Sequence, residues 1–365
     1  MFDFLPSLAL TLYLAKTFFI RILAVLAMLV LVLMMLDLLG ESADILAVSG
    51  NGEPEILRYV MLRIPQLIAR FLPYSVLLAT IITLAGLSQN SEVTAMKAAG
   101  LSAHQILAPL ILTAALVAAT SFAFNERVVT RATASLKLWQ QTDYARVETA
   151  PDARLNVYFN DGNDVLMASR MTGTGAQTVL DGVTFYERDD SGMIARQVHS
   201  PRATFAAPGW RLEDARSFDV ATAQEDVLAA PLVVAGGVTL GQVALRKVDP
   251  DSESLRELSE SIAALDSAGR RTNELKAKWW HKISGPLSAL LMPLLGAVAG
   301  FGLARSGKLL ARAVIGMALG FAFFVVDNAA LAMASFGGYP PLLAAWAPFF
   351  LFLAVGETVL IRTEE

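Results

Sequence analysis

The chain has no cysteine among its 365 residues. That excludes disulfide scaffolds, thiolate zinc sites, iron–sulfur clusters and cysteine nucleophiles, all of which need a thiol. Histidine is almost as scarce: His104, His199 and His281 lie far apart, and none belongs to an H-E-x-x-H pattern. No G-x-S-x-G elbow occurs either. Charge is thin, at 17% of residues, while 55% are hydrophobic; soluble domains run near 25% charged and about 45–50% apolar. The formal net charge of −4 comes without a clustered basic face, so no nucleic-acid partner is expected. The composition disfavours a soluble enzyme, and no catalytic residue, metal or cofactor site is expected in this chain.

The shortage of charge is uneven. Residues 125–281 hold 22 acids and 18 bases, whereas the other 208 residues hold 11 of each. Two solvents are implied, hydrocarbon for the two ends and water for the middle. A helix needs roughly 20 apolar residues to cross a hydrocarbon core about 30 Å thick. Six such runs occur: 17–39, 64–87, 106–124, 283–303, 313–336 and 342–361. The first is too long for a signal peptide and is expected to stay as an uncleaved span, with Lys16 and Arg21 snorkelling from its start.

In the middle the helical period gives way to short β-rich runs separated by turn residues. Three hairpins are expected around Asp161-Gly162-Asn163, around residues 189–192 and around Ala207-Pro208-Gly209. The expected architecture is therefore a membrane α-helical bundle of six transmembrane helices, three plus three, with an inserted all-β, jelly-roll-like domain. Its parts are residues 1–124, 125–281 and 282–365. The middle part ends in a short amphipathic helix: Ser252 is expected to cap it, Leu255, Leu258, Ile262 and Leu265 line one face, and Gly269 ends it.

Lys and Arg in short loops set orientation. Lys16, Arg21, Lys97, Arg305, Lys308, Arg312 and Arg362 gather on the N-terminal side, against Arg58 and Arg63 in the short loop opposite. Both termini are thus expected in the cytoplasm and the β domain outside it.

The remaining motifs divide into decoys and candidates. Gly302, Gly307 and Lys308 imitate a phosphate loop, but Leu309 stands where Ser or Thr should hold magnesium and no strand precedes them. Asp189 and Asp190 are turn residues. Gly296/Gly300 and Gly316/Gly320 have the spacing that lets helices approach closely in lipid. Arg70 and Asp327 are charges inside apolar runs and require a partner, a wet cavity or an anionic ligand. One reading pairs them with polar groups in the bundle. The other makes Arg58, Arg63 and Arg70 a site for a phosphorylated or acidic amphiphile, since a guanidinium fork matches phosphate oxygens. Between spans two and three, Ser91 is a candidate cap, Glu92 suits a helix N-terminus and Gly100 a terminator. The segment 91–99 is either a solvated connector or a coupling helix that docks into a cytoplasmic partner.

Taken in order, these segments resemble the lipopolysaccharide export permeases of the LptF/LptG type, more on the LptG side. The resemblance rests on Leu87 to Gly100, on Trp280-His281-Lys282-Ile283-Ser284-Gly285-Pro286-Leu287-Ser288, on Val326-Asp327-Asn328 and on Gly338-Tyr339-Pro340-Pro341. It implies a permease subunit of an ABC transporter in the bacterial inner membrane, with a periplasmic β domain. It further implies LptF as membrane partner, two copies of the LptB ATPase, LptC and LptA on the periplasmic side, and lipopolysaccharide as substrate. ATP and magnesium would be bound by LptB alone. By the same resemblance Ser91, Glu92, Met96 and Lys97 belong to the ATPase-coupling helix, and Lys137 falls where relatives carry a basic residue facing the lipid cavity. Relatives often carry a lysine late in span one; here Met34 to Leu36 are followed by Asp37. Arg58, Arg63, Arg70, Arg131 and Lys137 are the expected headgroup-binding residues. The rival readings are an ABC-type subunit for lipoprotein release or cell-wall signalling, and an ion-coupled transporter using Asp327.

Overall fold

The structure is a computed structural model that describes residues 5–145, 154–173, 177–189, 192–227, 232–238, 248–267, 270–297 and 309–364. It divides into two compact units, one of Met1–Leu136 with Asp249–Glu365 and one of Lys137–Val248.

The first unit is helical. Helices α1 (Leu8–Ala47) and α2 (Glu53–Gln89) form a long hairpin, followed by the short α3 (Glu92–Ala98) and by α4 (Ala103–Phe124). A π turn, Asn125–Val129, then leads directly into α5 (Thr130–Gln141). After the β unit come α6 (Leu255–Ser267) and α7 (Asn273–Leu287), a 3-10 turn at Ser288–Leu290, α8 (Leu291–Ala297), α9 (Leu309–Ser335) and α10 (Pro341–Glu364). Among the described residues five helices are long and apolar enough to cross a membrane: Leu8–Ala47, Glu53–Gln89, Ala103–Gln141, Ala313–Ser335 and Pro341–Arg362. The expected span 283–303 is described only to Ala297, as the end of α7, the 3-10 turn and α8.

Helix α1 shows why lipid is the solvent. It buries one narrow stripe at every fourth residue, Leu14, Phe18, Ile22, Leu26, Val30 and Met34. Leu12, Ile20, Leu23, Met28, Leu31, Met35 and Leu39 remain exposed. An apolar patch of that length is incompatible with water. Pro65 and Pro73 lie inside α2; prolines are tolerated in membrane helices because neighbouring groups satisfy the freed carbonyls.

Two boundaries move relative to the sequence reading. The second compact unit begins at Lys137, inside α5, where the sequence reading started the middle part at Asn125. On the other side the chain rejoins the helical unit at Asp249, before α6. The cap of α6 is Ser254, not Ser252: Ser254 Oγ accepts from the Glu257 amide at 3.3 Å while Glu257 Oε2 accepts from the Ser254 amide at 2.8 Å. This reciprocal pair is a capping box. Ser252 instead donates to Asp249. Gly269 lies outside the described residues.

Beyond the end of α5, the second unit's described residues form an antiparallel sheet. Strands β1 (Arg154–Asp161), β2 (Asp164–Thr172), β3 (Val179–Arg188), β4 (Ile194–Ala206) and β5 (Gly209–Glu213) pair antiparallel in chain order, and β8 (Leu232–Val234) closes on β5. The N-terminal half of β4 pairs with β6 (Arg216–Asp219), which pairs with β7 (Gln224–Val227). All three expected hairpins form, with Asp161 opposite Asp164, Arg188 opposite Ile194 and Ala206 opposite Gly209. Leu166, Leu180, Val183, Val198, Trp210 and Leu212 fill the core. The Trp210 indole donates to the Val238 carbonyl at 3.2 Å, which satisfies its one polar atom inside that core.

Candidate functional site: the coupling helix and the intramembrane charges

Helix α3 sits between α2 and α4 and is held by a definite stop. The Leu101 amide donates to the Met96 carbonyl and the Gly100 amide to the Lys97 carbonyl, with Gly100 at φ +88°. This is a Schellman closure, whose left-handed residue favours glycine. Its start differs from expectation. Ser91 has φ +61° and makes no side-chain cap bond, so it turns the chain without capping the helix. Val93 and Met96 are buried, which makes Met96 an anchor of the helix rather than part of its outer face. Glu92 accepts a hydrogen bond from the Tyr13 hydroxyl of α1 at 3.1 Å and a longer one from Asn90 at 3.4 Å. Lys97 lies in the last turn, where a cation complements the helix dipole.

The arginines of α2 divide between two faces. Successive residues turn by about 100° and rise 1.5 Å, so Arg63 and Arg70 share one face roughly 10 Å apart while Arg58 points about 140° away. Arg63 has a partner that the sequence reading missed. Its Nη2 and Nε donate to the two Asp37 oxygens at 2.8 and 2.9 Å, and its Nη1 to Gln66 at 2.8 Å. Tyr59 adds a 2.5 Å donation to Asp37. The signal lay in the hairpin: Asp37 is ten residues before the end of α1 and Arg63 ten after the start of α2. Two antiparallel helices joined by a short loop bring positions of equal depth together, here roughly 15 Å below the loop. Arg63 is therefore a neutralised guanidinium. Arg58, Arg70 and Arg131 are exposed, and Lys137 is half-buried at the start of the second unit.

Asp327, in α9, is 7% exposed and pairs with His281 Nε2 of α7 at 2.9 Å. Nearby, Tyr74 of α2 stacks on Phe324 with ring centroids 3.8 Å apart. Asn328 closes on the Phe324 carbonyl of its own helix at 2.7 Å. Asp327 is thus satisfied by the bundle. His281 and Asp327 come from two of the sequence motifs singled out above, and the fold joins them.

The other lone charges follow the same rule. Arg21 does not snorkel; it crosses to the Ile82 carbonyl of α2 at 3.1 Å, over Gly86. His104 meets Glu357 across α4 and α10 at 3.2 Å. The Leu255 amide at the start of α6 donates to Glu126 of the π turn at 2.8 Å, and Trp279 donates to Ser259 at 2.8 Å, so α6 is tied to both the π turn and α7. Gly316 packs against Leu295 and Gly296; a Cβ on Gly296 would come within 2.7 Å of Thr80, and one on Gly320 within 2.1 Å of Leu77. These glycines serve close helix approach. Gly300 and the imitation phosphate loop at Gly302, Gly307 and Lys308 lie outside the described residues, as do Arg305 and Asp190.

The described residues combine a short helix anchored by Val93 and Met96 between two long apolar helices, exposed arginines along one helix hairpin, and a separate β unit. Comparison with known proteins gives the same architecture a family. The family model described as lipopolysaccharide export system permease LptF/LptG matches residues 12–362. The lipopolysaccharide export system permease protein LptG of Escherichia coli (strain K12) is 25% identical over 360 residues, covering 96% of this chain and 97% of that protein. LptG of Haemophilus influenzae (strain ATCC 51907 / DSM 11121 / KW20 / Rd) is 26% identical over 356 residues, covering 91% and 94%. A match that runs from the start of α1 to the end of α10 takes in both units, and the chain belongs to the LptF/LptG family of lipopolysaccharide export permeases.

Proposed function

We propose that this chain is an LptG-type permease subunit that works with LptF in the bacterial inner membrane. Two LptB subunits bind and hydrolyse ATP with magnesium, and lipopolysaccharide passes toward LptC and LptA. Both termini then lie in the cytoplasm and the β unit in the periplasm. The single observation that supports this best is the family match over residues 12–362, which spans the helices and the inserted β unit together. The position of the β unit after three long apolar helices also fits it better than a lipoprotein-release subunit, whose external domain follows the first span.

Helix α3 is the coupling element in this reading, with Glu92 in its first turn and Val93 and Met96 as its anchors. Arg58, Arg70, Arg131 and Lys137 supply positive charge for the lipid A phosphates, and Arg63 acts through Asp37 instead. Co-purification from membranes, with partners and bound lipid identified by mass spectrometry, tests the whole assignment. Recovery without an ATPase and without lipopolysaccharide overturns it. Glu92→Lys is expected to insert normally and lose ATPase association, and normal recovery of the ATPase would remove α3 from the coupling role. Charge reversal of Arg70 together with Arg131 should abolish crosslinking of lipopolysaccharide to this subunit; unchanged crosslinking sinks the headgroup assignment.

A further inference from the structure

We propose that Tyr13 is a positioning residue for Glu92, fixing the coupling carboxylate to helix α1 so that the ATPase engages α1 and α3 as one body. The inference rests on the coupling-helix reading of α3. Its basis is a bond between residues 79 positions apart: the Tyr13 hydroxyl donates to Glu92 Oε2 at 3.1 Å. The other contact of this carboxylate, from Asn90 at 3.4 Å, is local to the loop and weaker by its length.

Without Tyr13 the α3 helix keeps its own anchors. Val93 and Met96 remain buried and the Gly100 closure is untouched. The glutamate side chain alone would lose its fixed direction, and a long side chain must then be ordered again each time a partner binds it. Tyr13 is 47% exposed, so its hydroxyl contributes little to the packing of the bundle. A phenol there does something that a phenylalanine of equal volume cannot. The same helix is bonded by a tyrosine at depth as well, where Tyr59 donates to Asp37 at 2.5 Å. About 36 Å of α1 separate Tyr13 from Asp37, at 1.5 Å per residue. Displacement of Glu92 by the ATPase is thereby delivered to a helix whose opposite half carries the Asp37–Arg63 contact with α2.

The test is a double-mutant cycle in the assembled complex, reconstituted in lipopolysaccharide-containing liposomes and titrated with the ATPase subunit. Tyr13→Phe is expected to raise the ATPase concentration that half-saturates ATP turnover by about three- to tenfold, the range set by one partly exposed hydrogen bond. Glu92→Ala, which removes the acceptor, is expected to raise it at least as much, and Tyr13→Phe added to Glu92→Ala should change it less than twofold further. An effect of Glu92→Ala with none of Tyr13→Phe overturns the role of Tyr13 and leaves the coupling reading intact. No effect of either variant overturns the coupling reading itself. Equal effects of Tyr13→Phe in both backgrounds also overturn the inference, since Tyr13 would then act independently of Glu92.

Discussion

Breaking the Asp37–Arg63 contact separates a structural arginine from a ligand-binding one. Asp37 receives three hydrogen bonds, two from Arg63 and one from Tyr59, at 2.5 to 2.9 Å. The two side chains are 20% and 28% exposed, neither dry nor fully solvated. Exposed ion pairs contribute about 0 to 1 kcal/mol, whereas removing one partner of a buried pair costs about 3 to 5 kcal/mol. The intermediate exposure places Asp37→Asn near 2 kcal/mol, roughly a 30-fold change in an equilibrium constant. Arg63→Met should cost a similar amount, and the double variant less than the sum by about 1 kcal/mol, because the second change removes a charge already left without its partner. Reversible unfolding of the purified protein in mixed micelles gives the four free energies. Additivity within about 0.5 kcal/mol would refute the pairing. It would return Arg63 to the headgroup candidates.

Three further expectations follow from packing and titration. Gly296→Ala should destabilise the bundle by about 1 to 3 kcal/mol through overpacking, since the new methyl meets the stiff, buried Thr80; Thr80→Ala should restore part of it, and an unchanged thermal midpoint would show that the helices yield. His281→Leu leaves the Asp327 carboxyl buried without its histidine and should cost about 1 to 3 kcal/mol, with Asp327→Asn in the same background recovering stability if the cause is the stranded charge. Asp266 is held below its ordinary carboxylate range by the bond from Lys276 and then by that from Thr272. Its contribution is therefore present above the unfolded value of about 3.9 and fades as pH falls through the lower folded value. Proteolysis between α6 and α7 should be equally slow at neutral and mildly acidic pH and accelerate only in that acidic window; acceleration near neutrality would refute the assignment.

Five of the six expected spans appear among the described residues as membrane-length helices, legible because hydropathy depends on composition alone, and the three hairpins were legible because Asp-Gly-Asn, Asp-Asp-Ser-Gly and Ala-Pro-Gly carry turn chemistry. Strands β6 and β7 were not, for Arg216–Asp219 and Gln224–Val227 are short and polar, and form as additions to a long β4. The Asp37–Arg63 and His281–Asp327 contacts depend on how helices register in three dimensions, which no single-helix periodicity encodes. Ser91 shows the limit of residue preference. A serine before a glutamate reads as a cap, yet the sharp reversal after α2 places it at φ +61°, where its hydroxyl makes no cap bond.

The π turn between α4 and α5 inserts one residue into an otherwise regular helix. In α4 the inward stripe runs through Leu107, Leu110, Ala114 and Val117. Continued at heptad spacing it would reach Val128, Arg131 and Ser135, all of which are exposed. The inward positions are instead Val129, Ala132 and Leu136, each one later. A single added residue rotates everything beyond it by about 100°. Arg131 owes its access to solvent to that rotation. A deletion of one residue within Asn125–Val129 would carry its guanidinium to the packed side and turn Ala132 and Leu136 away from it.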